Sequence, residues 1–126
     1  MLRCVTLAAA VCLGCLPAAA QMARNFPATA LRGEIVVTQP PDALLNRRPA
    51  RLAPGARIRG QNNLMLVSGA LVDQRLVVHY TTDQQGLLTE LWILTPEELA
   101  RRPWPTTPEQ AAGWRFDAAS QSWSRP

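Results

Sequence analysis

The stretch from Arg75 to Leu94 limits the fold more than any other part of this 126-residue chain. Arg75 to Thr82 alternates, with Leu76, Val78 and Tyr80 on one face and Arg75, His79 and Thr81 on the other. Side chains that alternate in this way belong to a half-buried strand, because the pleat turns successive residues to opposite sides. Asp83-Gln84-Gln85-Gly86 then supplies turn residues. Leu87 to Leu94 resumes the pattern, with Leu87, Thr89, Leu91 and Ile93 on one face and Glu90 and Trp92 on the other. The spacing predicts a β-hairpin. A single hairpin is not stable alone in water, so further strands must pair with it.

They are found upstream. Gly33 to Thr38 is β-branched and alternating, and Pro40-Pro41-Asp42 ends it because proline cannot donate to a ladder. Ala43-Leu44-Leu45 and Ala50-Arg51-Leu52 flank Asn46-Arg47-Arg48-Pro49, which predicts a second hairpin. Pro54-Gly55 marks a turn, Ala56 to Arg59 another short strand, and Leu64 to Ser68 one more. Short strands at close spacing predict a mainly β domain. With so few residues, a small five- to six-stranded barrel of OB-like or SH3-like type is expected rather than two full sheets, since closure removes edges.

Gly33-x-Ile35, Leu44-Leu45-Asn46, Leu52-x-Pro54-Gly55-x-x-Ile58, Gly69-x-x-Val72 and Gly86-x-Leu88 together resemble secreted bacterial domains of unknown function with OB-like barrels. The resemblance covers residues 32–94. It rests on turn and core positions, so it implies a fold and transfers no catalytic or binding residue. Arg47 stands where that family keeps a glycine.

Composition changes after Leu94. Thr95-Pro96-Glu97-Glu98 has an N-cap threonine, proline at the first helical position and glutamate at the third, a capping box predicting a helix to about Arg102. Thr107-Pro108-Glu109-Gln110 repeats the device. Pro103-Trp104-Pro105 forces an extended link between the two. The tail from Trp114 to Trp123 reads as a small hairpin or an irregular segment. Trp104, Trp114 and Phe116 are expected to pack on the barrel near Trp92.

The other end of the chain reads as an export signal. Arg3 gives a short charged region, Val5 to Leu16 an uncharged apolar stretch too short to span a bilayer, and Ala18-Ala19-Ala20 a small-residue cleavage site. Cleavage after Ala20 is expected, in the manner of a bacterial Sec signal, placing the protein in the periplasm or outside the cell. The competing reading is a lipid anchor at Cys15. Gly14 suits it, but Cys12 stands where a lipobox wants an aliphatic residue. All three cysteines, Cys4, Cys12 and Cys15, lie within residues 1–20. The expected layout is a signal over 1–20, a flexible lead-in over 21–31, a barrel over 32–94 and a tail over 95–126, with no transmembrane segment after cleavage.

The mature chain would then lack thiol and disulfide chemistry. One histidine, no cysteine and no calcium-loop carboxylates leave no ligand set for a metal, and no phosphate-cradling glycine motif occurs, so no cofactor is expected. Every one of the thirteen basic residues is arginine, which high genomic GC content explains as well as function does. Without Arg3 the formal charge is +3, too weak a balance to imply nucleic-acid binding.

Three function classes follow. The leading one is a non-enzymatic domain that binds an envelope protein or an anionic component such as lipid or lipopolysaccharide. Its candidate residues are Arg47, Arg48, Arg51, Arg57 and Arg59, whose guanidinium groups suit bidentate anion contacts if they converge. The second is a small hydrolase using His79, which the strand pattern places on the more polar face, beside Arg75 and Thr81. No catalytic set accompanies it. The third is a structural accessory subunit docked through a Trp-rich surface, with Trp104 and Trp123 as candidates because tryptophan is enriched in interface hot spots.

Overall fold

The computed structural model describes residues 23–126, so the cleavage site and the Cys15 alternative lie outside the described residues. Its centre is a closed five-stranded mixed barrel built from β1 (Leu31–Val37), β2 (Asp42–Leu45), β3 (Arg48–Arg59), β5 (Arg75–Thr82) and β6 (Leu88–Ile93). β4 (Met65–Leu66) lies outside the circuit, at the end of the sheet. β1 pairs antiparallel with β2 and with β5, β2 with β3, and β5 with β6. A parallel pairing of β3 with β6 closes the ring.

β3 makes closure possible. The sequence suggests two strands interrupted by Pro54-Gly55; instead one twelve-residue strand runs through the turn. Its first half pairs with β2, and beyond an irregularity between Leu52 and Arg57 its second half pairs with β6. Pro54 has no donor to lose there, and Gly55 adopts φ +76°, a conformation that costs glycine least. One strand thereby serves both sides of the barrel.

The inward faces of β1, β3 and β5 supply the core: Leu31, Ile35, Val37, Leu52, Ile58, Val78 and Tyr80, joined by Leu88 and Leu91 of β6. The expected face of β6 is shifted at its start. A bulge between Thr81 and Thr82 puts Leu88, not Leu87, into the core. Leu71, on a single 3₁₀ turn over Ser68–Leu71, is buried in the same core. At Gly33, an added Cβ would sit 3.0 Å from the Tyr80 ring and 3.2 Å from the Asn46 side chain.

A second core covers the outside of the barrel. α1 (Pro96–Leu99) and α2 (Pro108–Gly113) lead to a hairpin of β7 (Arg115–Asp117) and β8 (Ser122–Ser124). α1 ends at Leu99, short of Arg102, after a single capped turn. Phe26, Ala30, Trp92, Leu94, Trp104 and Trp123 are buried together, with Leu99, Trp114 and Phe116 packed against them. The segment read as a flexible lead-in belongs to this layer: Phe26 is 2% exposed, and its N–H donates to Gln121 Oε1 at 2.7 Å.

Candidate functional site

Cross-strand register carries Arg32 of β1, His79 of β5, Trp92 of β6 and Arg59 of β3 side by side on the outer face. Alternation assigns His79 to this face, but the face is not open to solvent there. His79 is fully buried, stacked on Trp104 at 4.1 Å between ring centroids and edge-on to Phe26 at 4.4 Å. This corrects the expectation of a solvent-facing polar position. Arg32 Nε donates to His79 Nε2 at 3.3 Å, which places the ring proton on Nδ1, an atom with no hydrogen-bond partner. Burial, reinforced by the charges of Arg32, Arg24 and Arg101, holds the imidazole pKa down at about 2. A ring so enclosed has no nucleophile beside it to activate.

Arg24 anchors the N-terminal segment. Its Nε donates to Glu98 Oε2 at 3.0 Å, Nη1 to the Gly60 carbonyl at 2.8 Å, and Nη2 to the Ile93 carbonyl at 2.7 Å as well as to Glu98 Oε1. Glu98 completes the capping box with Thr95 at the same time. Burial pushes the Glu98 carboxyl up, yet the hydrogen bonds from Arg24 and Thr95 outweigh it and leave its pKa below the ordinary value. Arg32 Nη2 donates to the Glu98 carbonyl at 2.9 Å, tying β1 to the same turn. This buried polar cluster fastens three segments together and leaves little of itself to a ligand.

The five arginines are spread along β3 and the turn that enters it, on both sides of its bend at Pro54-Gly55. Arg47 lies in the β2–β3 turn, where Asn46 and Arg47 adopt φ 51° and 67°. The turn demanded by the hairpin is therefore kept although a non-glycine residue occupies its second place. Arg51 stands opposite Asp42, Arg57 opposite Glu90, and Arg59 reaches Glu90 at 4.0 Å. Arg47, Arg48, Arg51 and Arg57 are exposed and make no side-chain hydrogen bond or ion pair among the described residues.

Trp104 and Trp123, expected at an exposed docking surface, are buried. They are 5% and 6% exposed, and they pack on each other and on Phe116. Trp104 Nε1 donates to the Ala30 carbonyl at 3.0 Å. Both side chains are spent on the second core.

A further concave surface among the described residues lies beside Leu64–Val67, a segment whose sequence predicts only a strand. A groove of about 460 Å³ opens between the β1–β2 loop at Pro40 and Pro41, the bend of β3, and β4 with the residue after it. Leu52, Ile58 and Leu66 line it. On its rim Leu64, Met65 and Val67 are 64%, 57% and 74% exposed. Four consecutive large apolar residues at the surface are uncommon on a monomeric protein. The available signal was that Leu64-Met65-Leu66-Val67 does not alternate, so one face of that strand has to present apolar groups to solvent.

Among the described residues no group of three or more His, Cys, Asp or Glu could hold a metal ion, and no helix is long and apolar enough to cross a membrane. No family model, curated protein or solved structure matches the chain.

Proposed function

We propose that the protein is a non-enzymatic binding domain of the bacterial envelope that engages a partner protein through the Leu64–Val67 rim and the groove beside it. The observation that carries this reading is the exposure of that apolar run next to a concave, apolar-lined surface. Exposed arginines on the neighbouring β3 favour a partner with negative charge around its apolar contact. The export signal read over residues 1–20 supports an envelope location.

An OB-like rather than SH3-like barrel is supported by the five-strand circuit with its parallel β3–β6 closure. The hydrolase reading has less support, because His79 is sealed under Phe26 and Trp104. The Trp-docked accessory-subunit reading has less as well, because Trp104 and Trp123 pack internally.

Affinity capture from envelope extract tests the proposal. The wild-type chain is expected to retain a defined protein that Val67→Asp loses and that Arg115→Glu, on the β7–β8 hairpin and not among the groove's lining residues, keeps. Identical capture by wild type and Val67→Asp refutes it. Salt-sensitive binding to anionic vesicles that depends on Arg48 and Arg51 but not on Val67 would favour the anionic-component reading instead.

A further inference from the structure

We infer that the partner contributes an extended segment, alternating apolar and acidic residues, that adds as a strand to the open edge of β4. The inference rests on the groove being the binding face, and it names the occupant.

β4 is the end strand of its sheet, paired only with β3. The β3–β4 register sets Ile58 opposite Leu66 and Arg59 opposite Met65. The Gly60 N–H donates to the Leu64 carbonyl at 2.9 Å, so Gly60 and Leu64 form a hydrogen-bonded pair. In an antiparallel ladder such pairs alternate with non-bonded ones. Ile58 and Leu66 therefore bond each other, and the N–H groups of Met65 and Val67 point away from β3, toward the open edge. An unpaired edge of this kind is a template for another strand, and natural proteins normally blunt it with charge, proline or a bulge. Here the two residues of β4, Met65 and Leu66, are flanked by Leu64 and Val67, so no charge or proline stands along the edge.

The register also states which side chains an added strand would meet. Opposite residues share a face, so Leu66 lies with Ile58 on the groove side, near Pro40 and Pro41. Met65 pairs with Arg59, and extending the register by one places Val67 beside Arg57, although both Met65 and Val67 also border the groove. Alternate residues of the incoming segment thus enter the apolar groove, and the intervening ones face a surface bearing Arg57. Two strand spacings, about 10 Å, separate the new strand from β3, a span that an arginine and a glutamate bridge together over Val67. Arg57 stands opposite Glu90 and Arg59 reaches the same carboxylate at 4.0 Å, so two arginines share one acid and among the described residues Arg57 makes no ion pair of its own. The same positive charge disfavours a second copy of this chain at the edge, because its own arginines would come into apposition.

The test uses the exported chain and labelled decapeptides that alternate valine with glutamate, valine with arginine, or valine with N-methylated glutamate. Fluorescence anisotropy is expected to show the glutamate peptide binding at least tenfold more tightly than the other two, and more weakly as salt is raised. Hydrogen exchange is expected to show the amides of Met65 and Val67 newly protected in the complex. Val67→Pro, at a φ of −90° and without loss of a β3 ladder bond, is expected to weaken binding at least tenfold.

Equal binding of the three peptides, binding of none, or protection confined to another edge overturns strand addition. Anionic vesicles that occupy the rim and leave the peptides unbound overturn it too, in favour of a lipid surface. The two readings separate cleanly. If envelope capture still depends on Val67 while the peptides and edge amides are silent, the groove stands and strand addition falls. If Val67→Asp leaves capture unchanged, the face itself is wrong.

Discussion

Lowering the pH from 7 to 5 should selectively destabilise this fold through His79. The ring is neutral in the folded chain because burial and three arginines hold its pKa at about 2, against an ordinary value of 6.5. Once unfolded, the imidazole recovers the ordinary value. A group depressed on folding contributes stability that is complete above its unfolded pKa and is lost as pH falls below it, since the unfolded chain then takes up a proton that the fold refuses. Between pH 6.5 and pH 5 the loss is one and a half pH units at about 1.4 kcal/mol each, or about 2 kcal/mol. That is a substantial part of the 5–15 kcal/mol typical of a domain. The size depends only on the native pKa lying well below 5.

Urea unfolding followed by tryptophan fluorescence at the two pH values measures it. His79→Phe retains a ring against Trp104 and Phe26 while stranding Arg32 Nε, so it should cost about 1–2 kcal/mol at pH 7. Its further loss at pH 5 should be smaller than wild type by about 2 kcal/mol. As this is the sole histidine, no second imidazole confuses the comparison. Equal acid losses in wild type and variant would refute the buried neutral imidazole.

Other outcomes follow from the same packing. Arg24→Ala leaves the Glu98 carboxylate buried without its main partner and should cost about 3–5 kcal/mol, read from urea midpoints. Trp123→Ala opens the second core and should cost about 3–5 kcal/mol; a change under about 1 kcal/mol would return Trp123 to the list of docking residues. Arg47→Gly relieves a left-handed residue in the β2–β3 turn and should raise stability by about 0.5–1 kcal/mol, with a fall in the urea midpoint counting against the turn geometry.

Local patterns were legible and distant pairings were not. The β5–β6 hairpin follows from alternation and from the Asp83–Gly86 turn, where Asp83 Oδ1 accepts the Gln85 and Leu87 N–H groups. The Thr95–Glu98 capping box could be read from four consecutive residues. The second role of Glu98, holding Arg24, joins positions 74 apart, a separation that no window of sequence reveals. His79 was placed on the right face by alternation and given the wrong surroundings, because a strand pattern does not say whether its polar face will be covered. The cover comes from Phe26 at one end and Trp104, Phe116 and Trp123 at the other, residues whose size alone hinted at burial. The groove leaves no mark of charge or catalytic side chains in the sequence; its one local signal is the lack of polarity at Leu64–Val67.

The hydrogen bond between Phe26 and Gln121 has a consequence for the order of folding. The barrel needs nothing beyond Ile93 for its five strands, but the outer layer joins residues 95 apart and waits for Gln121 and Trp123 to be made. A ribosome that still holds residues 117–126 holds back Gln121 and Trp123, leaving Phe26 and Trp104 without their lid. The nascent chain would therefore show a formed barrel with sticky aromatic rings on its side. Arrival of the β7–β8 hairpin would hide them, so its docking is registered as the loss of an exposed aromatic surface.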